Sequence, residues 1–212
     1  MVSEHILIGM KLACLFSGGK DSTYALYLML KQGNDVKYLV SVFPESSESY
    51  MFHYPMIERT KEQAVAIGIK QVIVKTRGEK EKELEDLKNA LRKLDIDGFF
   101  SGAIASNYQK GRLDGIAKEL GIVSLAPLWH RNQEELLKEQ IDAGFEIIIT
   151  HVAAEGLDES WVGRKIDYKA FEELKKIRDK HKINISGEGG EFETLVLNCP
   201  LFSHPLKAPE KE

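Results

Sequence analysis

Short apolar runs of strand length alternate along the chain with longer segments whose apolar residues recur at helical spacing. This alternation is typical of successive βαβ units in a parallel sheet. Six of the apolar runs predict strands, at residues 10–16, 36–42, 71–75, 98–101, 123–126 and 146–151. We expect these strands to form one open, mainly parallel sheet in an α/β fold.

The segments between the predicted strands have the apolar spacing of helices, at residues 22–32, 56–67, 79–94, 107–120 and 133–143. Gly33, Gly68, Gly121 and Gly144 each follow one of these segments. Glycine is typical of that place because the backbone after a helix often takes a positive φ. The four glycines therefore support the predicted helix ends.

The pattern changes after residue 151, which predicts a second, smaller α/β unit. Four segments follow: a polar stretch at 154–167, a predicted helix at 168–181, a turn of glycine and acid at 186–191 and a last strand at 192–197. A proline and a Trp-His-Arg cluster at residues 127–131 follow the fifth predicted strand. We expect the domain boundary there, with domains at residues 1–128 and 129–212.

Charge and cysteine content narrow the classes of function. The 212 residues carry a net charge of −4, so a main affinity for bulk nucleic acid is not expected. No apolar run approaches the ~20 residues needed to cross a bilayer, and the N-terminus lacks a secretory pattern. Cys14 and Cys199 lie far apart and indicate neither a disulfide framework nor a zinc ribbon. We expect a cytoplasmic protein without a membrane partner.

Residues 17–22 read S-G-G-K-D-S and lie where the first predicted strand ends and the first helix begins. Free backbone N–H groups and the positive end of the helix dipole favour an anion at such a point. The two glycines allow the backbone to approach phosphate oxygens, Lys20 supplies positive charge, and the two serines supply hydroxyl donors. Asp21 would help to hold Mg²⁺ against the phosphates. The motif predicts a site for nucleotide phosphates.

This motif differs from a Walker A loop, because Asp21 follows Gly19 and Lys20 and because Cys14 stands where the leading glycine belongs. The alternative is an ordinary tight turn between strand and helix, with Ser17 as the N-cap. The strand and helix context favours phosphate binding.

A second signature lies at residues 187–194, where three glycines and three glutamates fall within eight residues. So many glycines suggest close approach of a ligand, and the clustered carboxylates repel each other unless a cation or a metal neutralises them. Trp161 and Phe192 could add an aromatic face for a quaternary ammonium group, or could equally belong to the core. A solvated acidic turn is the alternative.

The S-G-G-K-D-S motif resembles the PP-loop of the N-type ATP pyrophosphatases. Four further segments extend the resemblance, to the diphthine-ammonia ligase family, over nearly the whole chain. They are E-S-Y-M-F-H at residues 48–53, S-G-A-I at 101–104, L-D-E-S-W-V-G-R at 157–164 and E-G-G-E-F-E-T at 188–194.

The resemblance implies a five-stranded sheet of the adenine-nucleotide α-hydrolase (HUP) type, with ATP and Mg²⁺ as cofactors. It implies that ATP activates the carboxylate of diphthine, a trimethylammonium-bearing histidine of elongation factor 2, as an acyl-adenylate. Ammonia would then form the amide, with AMP and pyrophosphate as products. Because no cysteine stands in a recognisable nucleophile setting, free ammonium is the expected donor. The oligomeric state stays open, a homodimer being one alternative.

The resemblance and the two signatures together give three groups of candidate residues. The catalytic candidates are Lys20, Asp21 and Glu191, and Asp21 is also the candidate Mg²⁺ ligand. The ATP-binding candidates are Ser17, Gly18, Gly19, Lys20, Asp21, Ser22 and Gly102. The substrate-binding candidates are Glu188, Gly189, Gly190, Glu191, Glu193, Thr194, Trp161, Arg164 and His53.

Two other functions remain open at this point. Another adenylating PP-loop enzyme, such as one that modifies tRNA, would be expected to show a basic face that the net charge does not promise. Sulfur transfer is disfavoured because the chain has no cysteine pair. An ATP-binding sensor without catalysis would not need the acidic glycine turn.

Overall fold

Five strands form a parallel sheet in this computed structural model, which describes residues 9–44, 59–76 and 80–209. They are β1 (Lys11–Leu15), β2 (Asp35–Pro44), β3 (Lys70–Thr76), β4 (Gly98–Phe100) and β5 (Val123–Leu125). Their spatial order is β3-β2-β1-β4-β5, and every neighbouring pair is parallel. The five-stranded sheet implied by the resemblance is therefore confirmed.

The strand order reverses at β1, whose Leu12 lies opposite Val36 of β2 on one side and Gly98 of β4 on the other. The chain runs outward from β1 to β3 and then crosses to the opposite half of the sheet. In open α/β sheets, ligands bind in the crevice beyond the carboxyl ends of the strands at such a reversal. This topology places the loops after β1 and β4 side by side.

The prediction that all six early strands share one sheet is wrong. The sixth, β6 (Glu146–Val152), pairs antiparallel with β7 (Phe192–Asn198) in a separate two-stranded sheet. Periodicity identifies a strand but does not identify its partner. Here the partner is β7, which begins about forty residues after β6 ends, and the pairing runs from Glu146 opposite Asn198 to Val152 opposite Phe192.

Six α-helices and one 3-10 helix connect these strands in the described part of the chain. They are α1 (Lys20–Lys31), α2 (Thr60–Ile67), α3 (Lys80–Leu91), α4 (Asn107–Leu120), α5 (Gln133–Asp142), the 3-10 helix Glu159–Trp161 and α6 (Tyr168–His181). Gly68 and Gly121 are left-handed C-caps, and Gly33 and Gly144 follow the C-caps of α1 and α5 with φ of +84° and +81°. The predicted glycine stops are confirmed.

The apolar core continues from the parallel sheet into the C-terminal half. One buried cluster includes Leu12 of β1, Leu26 of α1, Leu137 of α5 and Val196 of β7. A second cluster covers the other face of the sheet beneath α3 and α4, around Phe99. The two-stranded sheet is therefore fixed on the α1 side. No helix among the described residues has the length and apolar character needed to cross a membrane.

Candidate active site

The loop between β1 and α1 has a backbone that only glycine accommodates at one position. Gly18 has φ of +80°, and a Cβ built there would lie 2.2 Å from Oε1 of Gln63. The N-cap of α1 is Gly19, which has no side chain to compete for the N–H groups of the first turn. The loop thus presents a helix N-terminus to the crevice, as an anion site requires.

Lys20 and Asp21 form an ion pair at the start of α1. The Lys20 side chain is 2% exposed, and its Nζ lies 2.6 Å from Oδ2 of Asp21. Oδ1 of Asp21 accepts a hydrogen bond of 3.0 Å from Nε2 of Gln140, a fully buried residue of α5. Tyr24 of α1 donates to Glu139, beside Gln140, and burial together with this bond raises the pKa of Tyr24 to about 12. Helix α5 therefore orients the Asp21 carboxylate.

Gly102, in the loop after β4, lies directly against the N-terminus of α1. A Cβ built on it would be 2.6 Å from the carbonyl carbon of Asp21 and 2.6 Å from the backbone nitrogen of Ser22. These contacts are with backbone atoms, which cannot rotate away as a flexible side chain can. The S-G-A-I motif therefore contains a glycine because two loops meet there.

The acidic turn, the signature at residues 187–194, connects to the loop after β4 through Glu188. Its Oε1 accepts hydrogen bonds from the backbone N–H groups of Ile104 at 3.2 Å and Ala105 at 3.0 Å. Glu188 thus joins the C-terminal half of the chain to the loop that carries Gly102.

Glu191 has a different environment from Glu188. Its two carboxylate oxygens accept hydrogen bonds of 2.8 Å each, one from the N–H of Asn184 and one from the N–H of Gly189. The carboxylate therefore closes its own turn.

One cavity of about 240 Å³ is lined by three segments. They are the PP-loop motif at residues 17–22, the S-G-A-I loop at residues 101–104 and the acidic turn. The predicted site residues that line it are Ser17, Gly19, Lys20, Asp21, Ser22, Gly102, Glu188, Gly190, Glu193 and Thr194. Side chains of Leu15, Val40, Val42 and Leu113 supply apolar wall. The two signatures, more than 160 residues apart in sequence, thus share one cavity.

Other predicted site residues do not line this cavity. They are Gly18, Gly189, Glu191, Trp161 and Arg164. Trp161 is 5% exposed and has the Arg164 guanidinium 4.2 Å from its ring centroid. Arg164 also forms a 2.6 Å salt bridge to Glu173, and this hydrogen bond raises the pKa of the guanidinium. His53 and the motif at residues 48–53 lie outside the described residues.

Sequence reasoning missed several polar groups of the site. Gln109, Thr150 and Ser186 line the cavity. Gln140 holds Asp21, which also lines it, and Gln63 holds Gly18, the neighbour of the lining residue Gly19. Two of these residues could have been identified from their positions at the ends of predicted elements. They are Thr150, near the carboxyl end of β6, and Gln109, in the first turn of α4. Gln63 and Gln140 belong to no motif, and no feature of the sequence marks them.

Models of the diphthamide synthase N-terminal domain and C-terminal domain match residues 10–124 and 132–212. The human protein named diphthine–ammonia ligase is 33% identical, with coverage of 96% of this chain and 84% of that protein. A Schizosaccharomyces pombe protein of the same name is 32% identical, with coverage of 96% and 37%.

A solved structure shares the fold at low sequence identity. It is described as a predicted subunit of tRNA methyltransferase from Methanocaldococcus jannaschii, with a TM-score of 0.52, 17% identity and coverage of 90% of this chain and 98% of that one. At this identity the likeness concerns the fold alone. The two matching domain models, and relatives above 30% identity along almost the whole chain, show that the chain belongs to the diphthamide synthase family.

Proposed function

We propose that this chain uses ATP to amidate diphthine on elongation factor 2, giving diphthamide, with ammonia as the nitrogen donor. The observation that carries the proposal is the single cavity lined by both the PP-loop motif and the acidic turn. Relatives named diphthine–ammonia ligase support the choice of substrate. An adenylating ligase needs a nucleotide and an acyl substrate next to each other, and one cavity with two different walls suits that need.

The phosphates of ATP would bind at the N-terminus of α1. Lys20 and the loop N–H groups are the candidate contacts, because fixed positive charge and dipoles stabilise the charge that develops on transferring phosphates. Among the described residues, no three His, Cys, Asp or Glu side chains cluster to hold a metal by themselves. Mg²⁺ is usually held by one or two carboxylates together with substrate phosphates, and Asp21 fits that donor set.

The acyl substrate would bind at the end of the cavity formed by the acidic turn. Glu188 and Glu193 line this end, and Phe192 adds an aromatic side chain. Negative charge and an aromatic face both favour a trimethylammonium group. We propose that this wall receives diphthine, so that its carboxylate faces the nucleotide.

The proposed chemistry has two steps. A carboxylate oxygen of diphthine attacks the α-phosphorus of ATP, the bond to the bridging oxygen breaks, and pyrophosphate leaves. Ammonia then attacks the acyl carbon, the C–N bond forms, AMP leaves, and the nitrogen loses a proton to solvent. Burial raises the pKa of Cys14 well above its usual value and that of Cys199 to about 11, which supports free ammonia over transfer through a thiol.

We also propose a domain boundary and a cellular compartment for this chain. A domain boundary at residues 128/129 is supported by the two family models, which leave only residues 125–131 between them. A reducing, cytoplasmic setting is supported by two buried cysteines without a disulfide.

The proposal is tested by following ATP labelled separately at the α- and γ-phosphates. The reaction contains the chain, Mg²⁺, ammonium and diphthine-bearing elongation factor 2. We expect labelled AMP and labelled pyrophosphate, both absent with Asp21→Ala protein that melts normally. ADP as the product, or no turnover, would overturn cleavage at the α-phosphate.

A further inference from the structure

Strand β7 of the C-terminal half lies directly against the PP-loop motif. The N–H of Val196 donates to the carbonyl of Gly18 at 3.1 Å. The amide Nε2 of Gln63 donates both to that carbonyl, at 2.9 Å, and to the carbonyl of Val196, at 2.8 Å. Three buried hydrogen bonds therefore fix the position of the loop against the strand, although about 180 residues separate them in sequence.

Thr194 of β7 also contacts this loop. A Cβ built on Gly19 would lie 3.3 Å from both the carbonyl oxygen and Oγ1 of Thr194. Oγ1 of Thr194 accepts a 3.2 Å hydrogen bond from the backbone N–H of Lys20, the first residue of α1. Thr194 also lines the cavity. Its hydroxyl is therefore located at the start of the helix whose N–H groups would bind phosphate.

The hydrogen-bonding capacity of a hydroxyl decides what this position can do. A threonine Oγ1 has two acceptor lone pairs and one O–H donor. The bond from the Lys20 N–H uses an acceptor site, so the O–H proton remains to be donated. A donor beside a helix N-terminus suits an oxyanion and does not suit a trimethylammonium group, which accepts no hydrogen bond.

We infer that Thr194 is a phosphate ligand of ATP, and thus that the C-terminal half completes the phosphate site. This inference rests on the proposed function and moves Thr194 from the acyl-substrate side to the nucleotide side. The Thr194 hydroxyl accepts from the Lys20 N–H and donates to an oxygen of the pyrophosphate end of ATP. The phosphate site then forms only when β7 is in place, so the two halves act on one ligand.

The test is equilibrium binding of ATP, pyrophosphate and AMP by calorimetry to the unsubstituted chain, Thr194→Val and Thr194→Ser. We expect Thr194→Val, which keeps the shape and loses the hydroxyl, to weaken binding of ATP and pyrophosphate about tenfold or more. AMP binding should change less than about twofold, and Thr194→Ser should restore ATP binding to within about threefold. Thermal melting of both variants checks that they fold.

If the Thr194 hydroxyl had only a structural role, Thr194→Val would not weaken ATP binding. Removing a simple acceptor frees the Lys20 N–H for phosphate, so ATP would then bind Thr194→Val as well as before or more tightly, and that result would overturn the inference. An equal loss of AMP and pyrophosphate binding would also overturn it. If the unsubstituted chain binds no ATP, the proposed function itself fails, and the two failures are thereby distinguished.

Discussion

Replacing Gly102 with alanine tests the contact between the two loops that form the cavity. The built Cβ lies 2.6 Å from the carbonyl carbon of Asp21, 2.6 Å from the nitrogen of Ser22 and 2.9 Å from the carbonyl oxygen of Asp21. Ordinary contact begins near 3.4 Å, so the loop after β4 and the start of α1 must separate by about 0.8 Å. This shift falls on the backbone that would hold the phosphates.

The expected losses follow from the size of that shift. Forcing a methyl group into a filled site costs about 1–3 kcal/mol of folding free energy. A misplacement on the order of 1 Å in a catalytic arrangement can cost on the order of 100-fold in rate. We therefore expect kcat/KM for ATP to fall about 100-fold in Gly102→Ala, with unfolding free energy lower by about 1–3 kcal/mol.

The matched control is Gly115→Ala, the same chemical change in the middle of α4. A Cβ built on Gly115 meets no atom within 4 Å, and alanine is favoured over glycine inside a helix by roughly 0.5–1 kcal/mol. Gly115→Ala should therefore unfold at higher denaturant and keep full activity. If Gly102→Ala keeps activity within about threefold, the close approach of the two loops does not organise the site.

Three further predictions concern Glu188, Gln63 and the cysteines. Glu188→Gln keeps an oxygen that can accept both loop N–H groups and should bind ATP within about twofold of the unsubstituted chain, whereas Glu188→Ala should lose about tenfold; equal losses would contradict the acceptor role. Gln63→Leu removes the donor to two buried carbonyls and should lower the unfolding free energy by about 1–3 kcal/mol in a denaturant titration, so an unchanged midpoint would refute it. Because burial raises both thiol pKa values, Cys14 and Cys199 should resist alkylation at neutral pH until the chain unfolds, and rapid labelling of native protein would count against the described packing.

Local sequence patterns predicted most of the fold because they report local structure. Strand-length runs, helical spacing and the glycines after the helices depend on neighbouring residues. The pairing of β6 with β7 depends on residues far apart, so its partner could not be read from spacing. Family and enzyme class were predicted from five motifs in order, and the family models and the relatives named as ligases confirm both.

Motifs mark many of the residues that line the candidate cavity, but they do not mark the side chains that support those residues. The structure brings the loop residues and the acidic turn to one cavity, which their chemistry alone did not predict. Gln140, by contrast, orients Asp21 from 119 residues away and belongs to no motif. A motif also does not show which groups donate hydrogen bonds to a carboxylate within it. Glu191, predicted as catalytic, accepts hydrogen bonds from its own turn, and its role in catalysis stays a prediction.

Transfer of nitrogen to elongation factor 2 tests the central claim most directly. Diphthine-bearing factor is incubated with the chain, ATP, Mg²⁺ and isotopically labelled ammonium, and the peptide that carries the modified histidine is analysed by mass spectrometry. The account predicts one labelled amide nitrogen on that histidine, formed only when ATP is present and lost in Asp21→Ala. An unlabelled peptide under conditions where the chain forms AMP with another acceptor, such as tRNA, would contradict it.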